Sequence, residues 1–454
     1  MQRPSGDALL LWLLLIARVR VDTLAEWAAI PTAMLQRDVA RLVGDWLPAS
    51  SLALLADRQT TDPVTLVLIS LAFGGGLFYL VVDALRGRLA DRLVQRLKLA
   101  ALCLIIALLV FGQTGLFIGL RAITGPAAYT HDGGVIQTEV TIEYLLAGVN
   151  PYVADYLDTP MAEWGTEYRT ALYHYPYLPW TFLFSAPFYL LSRATLGWFD
   201  QRLVYLMLLA LTLVLAYRLA RPGAARLGSL MVIGLNPILA SDVIYGQNDS
   251  FVLFWIVLGV WLLGAARRGG RGGVGLAAAA FGLACASKPT AWFLLPFLGV
   301  HLALGEGETG GVRALVRRAW RGWPLVTVCL AVIGPWLVWD AAAMADDIWG
   351  WSAGTAAMPY QIRGWGLSNL VLALGLVPDR LAYWPFWITE LVVALPLLAL
   401  GWWRQVRANT VGVMLGSYGL LLLGFLYASR FLNENYLGFL VAILALAHFG
   451  RDDA

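Results

Sequence analysis

Lysine is almost missing from this chain. Of its 32 basic residues only Lys98 and Lys288 are lysine, and the rest are arginine. Charge of both signs is scarce, at 13% of residues against about 25% in a soluble domain, and mean hydropathy is +0.69. That combination excludes an ordinary water-soluble globule. The net charge of +3 is spread over short connections, which gives no reason to expect a nucleic-acid partner. Cysteine occurs three times, as Cys103, Cys285 and Cys329, each inside an apolar run, so no disulfide framework is implied. The chain has no Asp-x-Asp pair, and its four histidines show no zinc-like spacing. No metal and no cofactor is expected. The first apolar run lacks a small-residue cleavage site and meets Arg18 and Arg20, unlike a cleavable signal peptide. Strand-like alternation is absent, which excludes a β-barrel.

What remains is a succession of continuous apolar runs, the length that a bilayer core of about 30 Å demands of a helix. They predict an all-α polytopic membrane protein, one integral domain over residues 1–454. The expected spans are 8–30, 63–82, 99–120, 203–220, 229–245, 250–266, 274–287, 290–304, 324–340, 381–402, 411–427 and 436–449, twelve in all. Two further apolar pieces, 179–192 and 366–377, are too short to cross comfortably. Arginine decides their status. Clusters at 86–98, 218–226, 267–271, 313–321 and 404–407 all fall on the cytoplasmic side if neither piece crosses. Residues 121–202 and 341–380 then form two large extracytoplasmic loops. The first is expected to carry interfacial amphipathic helices rather than a separate folded domain.

This topology gathers every mixed polar island on one face. The richest island is Tyr129–Tyr152, where His131-Asp132 precedes Gly133-Gly134, and Glu139 and Glu143 share a helix face. An Asp at a helix start is a natural cap, and two glycines beside it leave room for a substrate. Asp132 is the expected general base of a reaction at the membrane surface, with Glu139 as its rival. Lys288, alone before Pro289 at a membrane boundary, suits a lipid phosphate, with snorkelling as the plainer alternative. Arg363 and Arg430 are further phosphate candidates. His131, His174, Tyr175, Gln247, Asp249 and Glu434 complete the expected substrate-binding set. The tyrosines and Trp180 of 173–180 read first as an interfacial aromatic belt.

The order of these pieces resembles a known family. Asp132 near the start of a long outer loop, the run Leu145-Leu146-Ala147-Gly148-Val149-Asn150-Pro151-Tyr152, and the return through Tyr175-Pro176-Tyr177-Leu178-Pro179 look like the GT-C superfamily of membrane glycosyltransferases. The nearest likeness is to the polyprenol-phosphate-mannose-dependent mannosyltransferases. Gln247 and Asp249, Lys288 before Pro289, and Glu434 with Tyr436 also look like family features. The family often has two prolines after the tyrosine, whereas here Tyr177 follows Pro176 and the turn differs. The resemblance implies a GT-C-like bundle and a polyprenyl-phosphate-linked sugar as donor. It also implies a glycan, lipid or protein acceptor reached from outside, and inversion at the anomeric carbon with Asp132 as base. A transporter or lipid-linked-glycan flippase is the alternative. It should place charge at mid-membrane and show an internal repeat, and neither is evident.

Overall fold

The computed structural model describes residues 3–29, 32–56, 62–164, 169–267, 273–310 and 312–450; of these, the side chains of 20–29, 32, 33, 56, 132 and 312 stand outside the description. The chain is a bundle of helices. Among the described residues the only paired strands are two residues long, Arg363–Gly364 beside Phe431–Leu432 in parallel.

Each expected span coincides with a helix or part of one, but they do not all have the length to cross. Among the described residues seven helices are long and apolar enough, and eight if the pair Ala224–Gly234 and Pro237–Tyr245, bent by 47°, counts as one broken span. Three expected spans are shorter apolar helices, Gly273–Cys285, Pro289–Leu304 and Glu434–Phe449. At 1.5 Å per residue, 13 residues reach only about 20 Å. The first expected span lies within Gly6–Ala29, whose side chains beyond Val19 are not described. Among the described residues, length and composition therefore support seven or eight of the twelve expected spans and leave the rest unconfirmed.

The helix ends follow from local chemistry. Asp62 accepts the Thr65 amide at 2.8 Å with Pro63 at the first position of Pro63–Ala84. Asn236 caps Pro237–Tyr245 in the same way, and Thr410 caps Val411–Ala428. The helix Trp323–Ala345 breaks at Asp340, whose backbone leaves the helical region and whose carboxylate accepts the Ala343 amide at 2.9 Å. The expected span 324–340 ends at this break, and the segment beyond it belongs to the polar end of the bundle.

The two most extensive of four apolar cores among the described residues hold most of the bundle together. The larger is built from Asp249–Arg267, Gly273–Cys285, Val411–Ala428 and Glu434–Phe449, with Phe182, Tyr205, Phe281 and Phe439 wholly buried in it. The smaller joins the N-terminal helices to Ala224–Gly234. Trp323–Ala345 and Phe386–Arg407 stand at the rim and bury little of their surface.

The described residues of 121–202 pack into the bundle. Their helix Gln137–Leu146 follows a π-helical turn, Asp132–Ile136, and buries Val140 and Ile142 in the larger core beside Trp180–Leu196. The second apolar piece, around 366–377, contains only the six-residue helix Ser368–Ala373.

Candidate functional site

A cavity of about 410 Å³ opens at the end of the bundle where the polar islands lie. Its walls come from the turn 246–248, the turn 287–290, the start of Asp132–Ile136, the segment 348–363 and the entry to the last helix. His131, Gln247, Lys288, Arg363 and Glu434 all line it. Sequence reading thus picked five residues, distant in the chain, that the fold brings into one space.

Main-chain bonds build the wall around Lys288. Leu178 and Trp180 donate their amides to Ser287 and Ala286 at 3.1 and 3.0 Å, which ties the return segment 175–180 to the lysine turn. The Asn-Pro-Tyr run fixes the same place from below: Asn150 Oδ1 accepts the Tyr152 amide, and the Tyr152 hydroxyl donates to the Tyr177 carbonyl at 2.8 Å. Tyr177 and Tyr436 then present their rings 5.8 and 5.1 Å from Lys288 Nζ. The ammonium donates to Asn248 Oδ1 at 3.1 Å and Asp249 Oδ1 at 2.8 Å, while Asn435 donates to the other Asp249 oxygen. Lys288 is 6% exposed, so it does not snorkel. An ammonium with three donors, two of them bonded here, can give the third to an anion in the cavity.

The cavity wall also carries amides. Gln137 Oε1, Gln247 Oε1, Asn248 Nδ2, Gln361 Oε1 and Asn433 Oδ1 are buried in it without a protein partner among the described residues. Buried polar atoms are normally paired, so this wall suits a ligand rich in hydroxyl groups. The opposite flank is apolar and aromatic, with Trp292 against Trp349 at 5.3 Å and Phe293 against Phe425 at 4.5 Å.

Residues 143–304 match the N-terminal domain of the alpha-(1->6)-mannopyranosyltransferases of the MptA_B family. The chain is similar to a GT-C-like mannosyltransferase. No curated protein matches it. A mannosyltransferase domain supports glycosyltransferase activity, and with it a sugar donor and a glycan acceptor in general terms. The match covers the stretch from Glu143 through Lys288, including the Asn-Pro-Tyr run and the turn at Gln247. It begins after Asp132 and Glu139 and stops before Arg363, Arg430 and Glu434.

Those outlying residues have diverse settings in this mannosyltransferase-like chain. Asp132 opens the π-helical turn between His131 and Gly133, which both line the cavity; its side chain lies outside the described residues. Of the two glycines that follow, Gly133 lies under the Tyr177 hydroxyl. Gly134 faces protein: a Cβ there would meet the Gly246 carbonyl at 1.8 Å. Gly246 has φ +89 and is itself too close to Val135 for a side chain. The space beside Gly134 is therefore filled by the Gly246 turn, which sets the π-helical turn directly against Gln247.

Glu139 is away from the cavity. Arg121 grips both its oxygens at 2.9 and 2.6 Å, and the Gln201 amide adds a third bond at 2.8 Å. Arg121 also reaches Asp200 at 3.1 Å, and Asp200 pairs with Arg202 at 2.7 Å. Arg202 spends further donors on the carbonyls of Tyr129 and Ile244. Two guanidiniums and two carboxylates thus form a buried, balanced network under residues 129–139.

Arg430 is 1% exposed and donates to the carbonyls of Tyr360, Arg380, Leu381 and Ala382. Four of its five donors hold the second large loop. Arg363 lines the cavity with no ion pair among the described residues. Tyr175 is buried against Tyr152, Tyr177 and Phe182, in the core rather than in the cavity.

His174 is also off the lining, bonded to a partner that sequence reading did not single out. Its Nδ1 lies 2.8 Å from Asp347 Oδ1, and Asp347 Oδ2 accepts the Tyr175 amide at 2.8 Å. Burial pushes the Asp347 carboxyl up to about 6, against the bonds from His174 and Tyr175 that favour its charge. His174, Asp346 and Asp347 are the one group among the described residues that could hold a metal, with ligand atoms within 4.8 Å. The direct bond between His174 and Asp347 would have to be displaced first. Trp292, Trp349 and Asn248 were missed as well; Asn248 sits between the two turn residues that were chosen.

Proposed function

We propose that this chain is an inverting glycosyltransferase that moves a sugar from a polyprenyl-phosphate donor to an acceptor hydroxyl in the cavity around Lys288. The carrying observation is the wall itself: a caged ammonium beside five unpartnered amide atoms. The ammonium, with Arg363, receives the donor phosphate. The amides of Gln247, Asn248 and Gln361 bind sugar hydroxyls. The aromatic flank of Trp292, Phe293, Trp349 and Phe425 takes the first isoprene units on their way to the bilayer. His131 and Glu434 border the acceptor. His174 and Tyr175 support the wall from behind, and Asp249 sets the position of Lys288.

Asp132 is the base. Its carboxylate takes the proton as the acceptor oxygen attacks the anomeric carbon, while the carbon–oxygen bond to phosphate breaks and polyprenyl phosphate leaves with the electron pair. The leaving group is already an anion in water, so it needs cations rather than an acid. Glu139, held by Arg121, serves the fold. The cavity faces the extracytoplasmic side of the cell membrane, because the arginine-rich turns lie at the other end of the bundle.

The test is direct. Purified protein is incubated with a panel of polyprenyl-phosphate sugars and acceptor glycans, and donor consumption is followed by mass spectrometry. Asp132→Asn should fold, bind donor and lose about 10²–10⁴-fold in turnover. Near-normal turnover in Asp132→Asn, with none in Glu139→Gln, would make Glu139 the base.

A further inference from the structure

A second cavity, of about 480 Å³, lies at the arginine-rich end of the bundle. Its walls come from the end of Asp249–Arg267, the start of Gly273–Cys285, the end of Leu295–Leu304 and the junction 320–324. One side is apolar, with Leu263, Val274 and Leu302. The other holds Arg267, His301, Glu306 and Arg321.

The charges on that side are not balanced. Arg267 Nη2 bonds Glu306 Oε2 and lies 3.4 Å from His301 Nε2, which neutralises the one carboxylate of the lining among the described residues. Arg321 Nη1 donates to the Ala303 carbonyl at 3.3 Å. That bond aims the guanidinium while leaving donors of its planar fork over. The connecting sequence before Trp320 adds Arg317, and Arg318 paired with Glu308 at 2.9 Å. Trp320 and Trp323, 68% and 59% exposed, flank the opening where the helix Trp323–Ala345 begins. Tryptophan at that level marks the interface between headgroups and hydrocarbon.

We propose that this cavity binds the phosphate headgroup of an anionic membrane lipid, with Arg321 on the phosphodiester and the acyl chains leaving over Trp320 and Trp323. A basic pocket between spanning helices on the positively charged side has the form such headgroups occupy. The site is separate from the Lys288 cavity and does not depend on the reaction there.

Delipidated protein is mixed with equal amounts of phosphatidylglycerol and phosphatidylcholine, and retained lipid is counted by native mass spectrometry. Phosphatidylglycerol should be retained preferentially and should raise the unfolding temperature. Arg321→Gln keeps a donor for Ala303 but removes the charge, and should lower that retention about five-fold, the worth of one basic side chain at an anionic surface. Arg321→Lys should restore most of it. Arg313→Ala removes an exposed arginine outside the cavity and should change nothing. Equal retention of both lipids, or equal losses in Arg313→Ala and Arg321→Gln, would overturn the proposal. Full stabilisation by inorganic phosphate alone would also overturn it, since the ligand would then be a free ion.

Discussion

Lys288→Ala separates what the ammonium does for the fold from what it does for a donor. The ion pair with Asp249 is nearly dry: the side chains are 8% and 1% exposed and the charges 2.8 Å apart. Removing one partner of such a pair costs about 3–5 kcal/mol, because the other charge stays buried. Asn435 still donates to Asp249, and the cavity admits water beside it, so the loss should fall near the lower figure. On the proposed function the same substitution also removes a charge-assisted hydrogen bond to the donor phosphate, worth about 1.5–3 kcal/mol. At about 1.4 kcal/mol per decade that is a rise of roughly 10- to 150-fold in donor KM. Lys288→Ala/Asp249→Asn distinguishes the two effects. Asparagine carries no charge to strand and can still bond Asn435. Thermal unfolding in detergent should return to within about 1 kcal/mol of wild type, while donor KM stays high. Lys288→Arg should recover stability but only part of donor use, since a guanidinium is larger than the ammonium it replaces beside Tyr177 and Tyr436 and offers its donors in a fixed plane. If the double variant regains donor KM together with stability, Lys288 acts only by holding Asp249 and the phosphate assignment fails.

Glu139→Gln should destabilise the protein by about 3 kcal/mol by leaving Arg121 half-paired, while the fraction that stays folded keeps its turnover. A fully stable but inactive Glu139→Gln would contradict this. Asp347 makes stability depend on pH: its folded value, about 6, lies above the ordinary 3.8. The fold therefore favours the protonated carboxyl, and that contribution is present below pH 4 and lost as pH rises through 6. Wild type should lose up to roughly 3 kcal/mol relative to Asp347→Asn across that window; parallel unfolding curves would refute it. Gly134→Ala should cost about 3 kcal/mol or more, because its Cβ must push the Gly246 carbonyl aside. Gly115→Ala, with open space around it, is the control.

The helices were legible because apolar length is written directly in the chain. Their reach was less so: Gly273–Cys285 reads as apolar as a full span, and only the positions of its ends show that it falls short. Lys288 could be chosen because the chain avoids lysine, and Gln247 and Glu434 because they stand in turns between apolar runs. The failures share a cause. Glu139 and Glu143 look alike at helical spacing, yet one meets Arg121 and Gln201 and the other meets the Tyr189 hydroxyl. Nothing near them in sequence announces those partners. Arg430 reads as a loose loop cation until residues 360 and 380–382 fold around it. The aromatic pair Trp292 and Trp349 is hidden among 20 tryptophans.

The buried network of Arg121, Glu139, Asp200 and Arg202 has a mechanical consequence. It clamps the helix bearing residue 139 to the two helix ends at Arg121 and Arg202, and through the carbonyls of Tyr129 and Ile244 it holds the turns on either side of the π-helical segment. That half of the cavity is a fixed jaw. The facing half is carried by the segment beyond Trp323–Ala345, a helix broken at Asp340, and by Phe386–Arg407, and both helices leave most of their surface uncovered. If the donor is the proposed polyprenyl phosphate, its long isoprenoid has to enter from the side rather than from the end. On that proposal the doorway lies between the break at Asp340 and the aromatic flank, and the fixed jaw keeps the reacting groups in register.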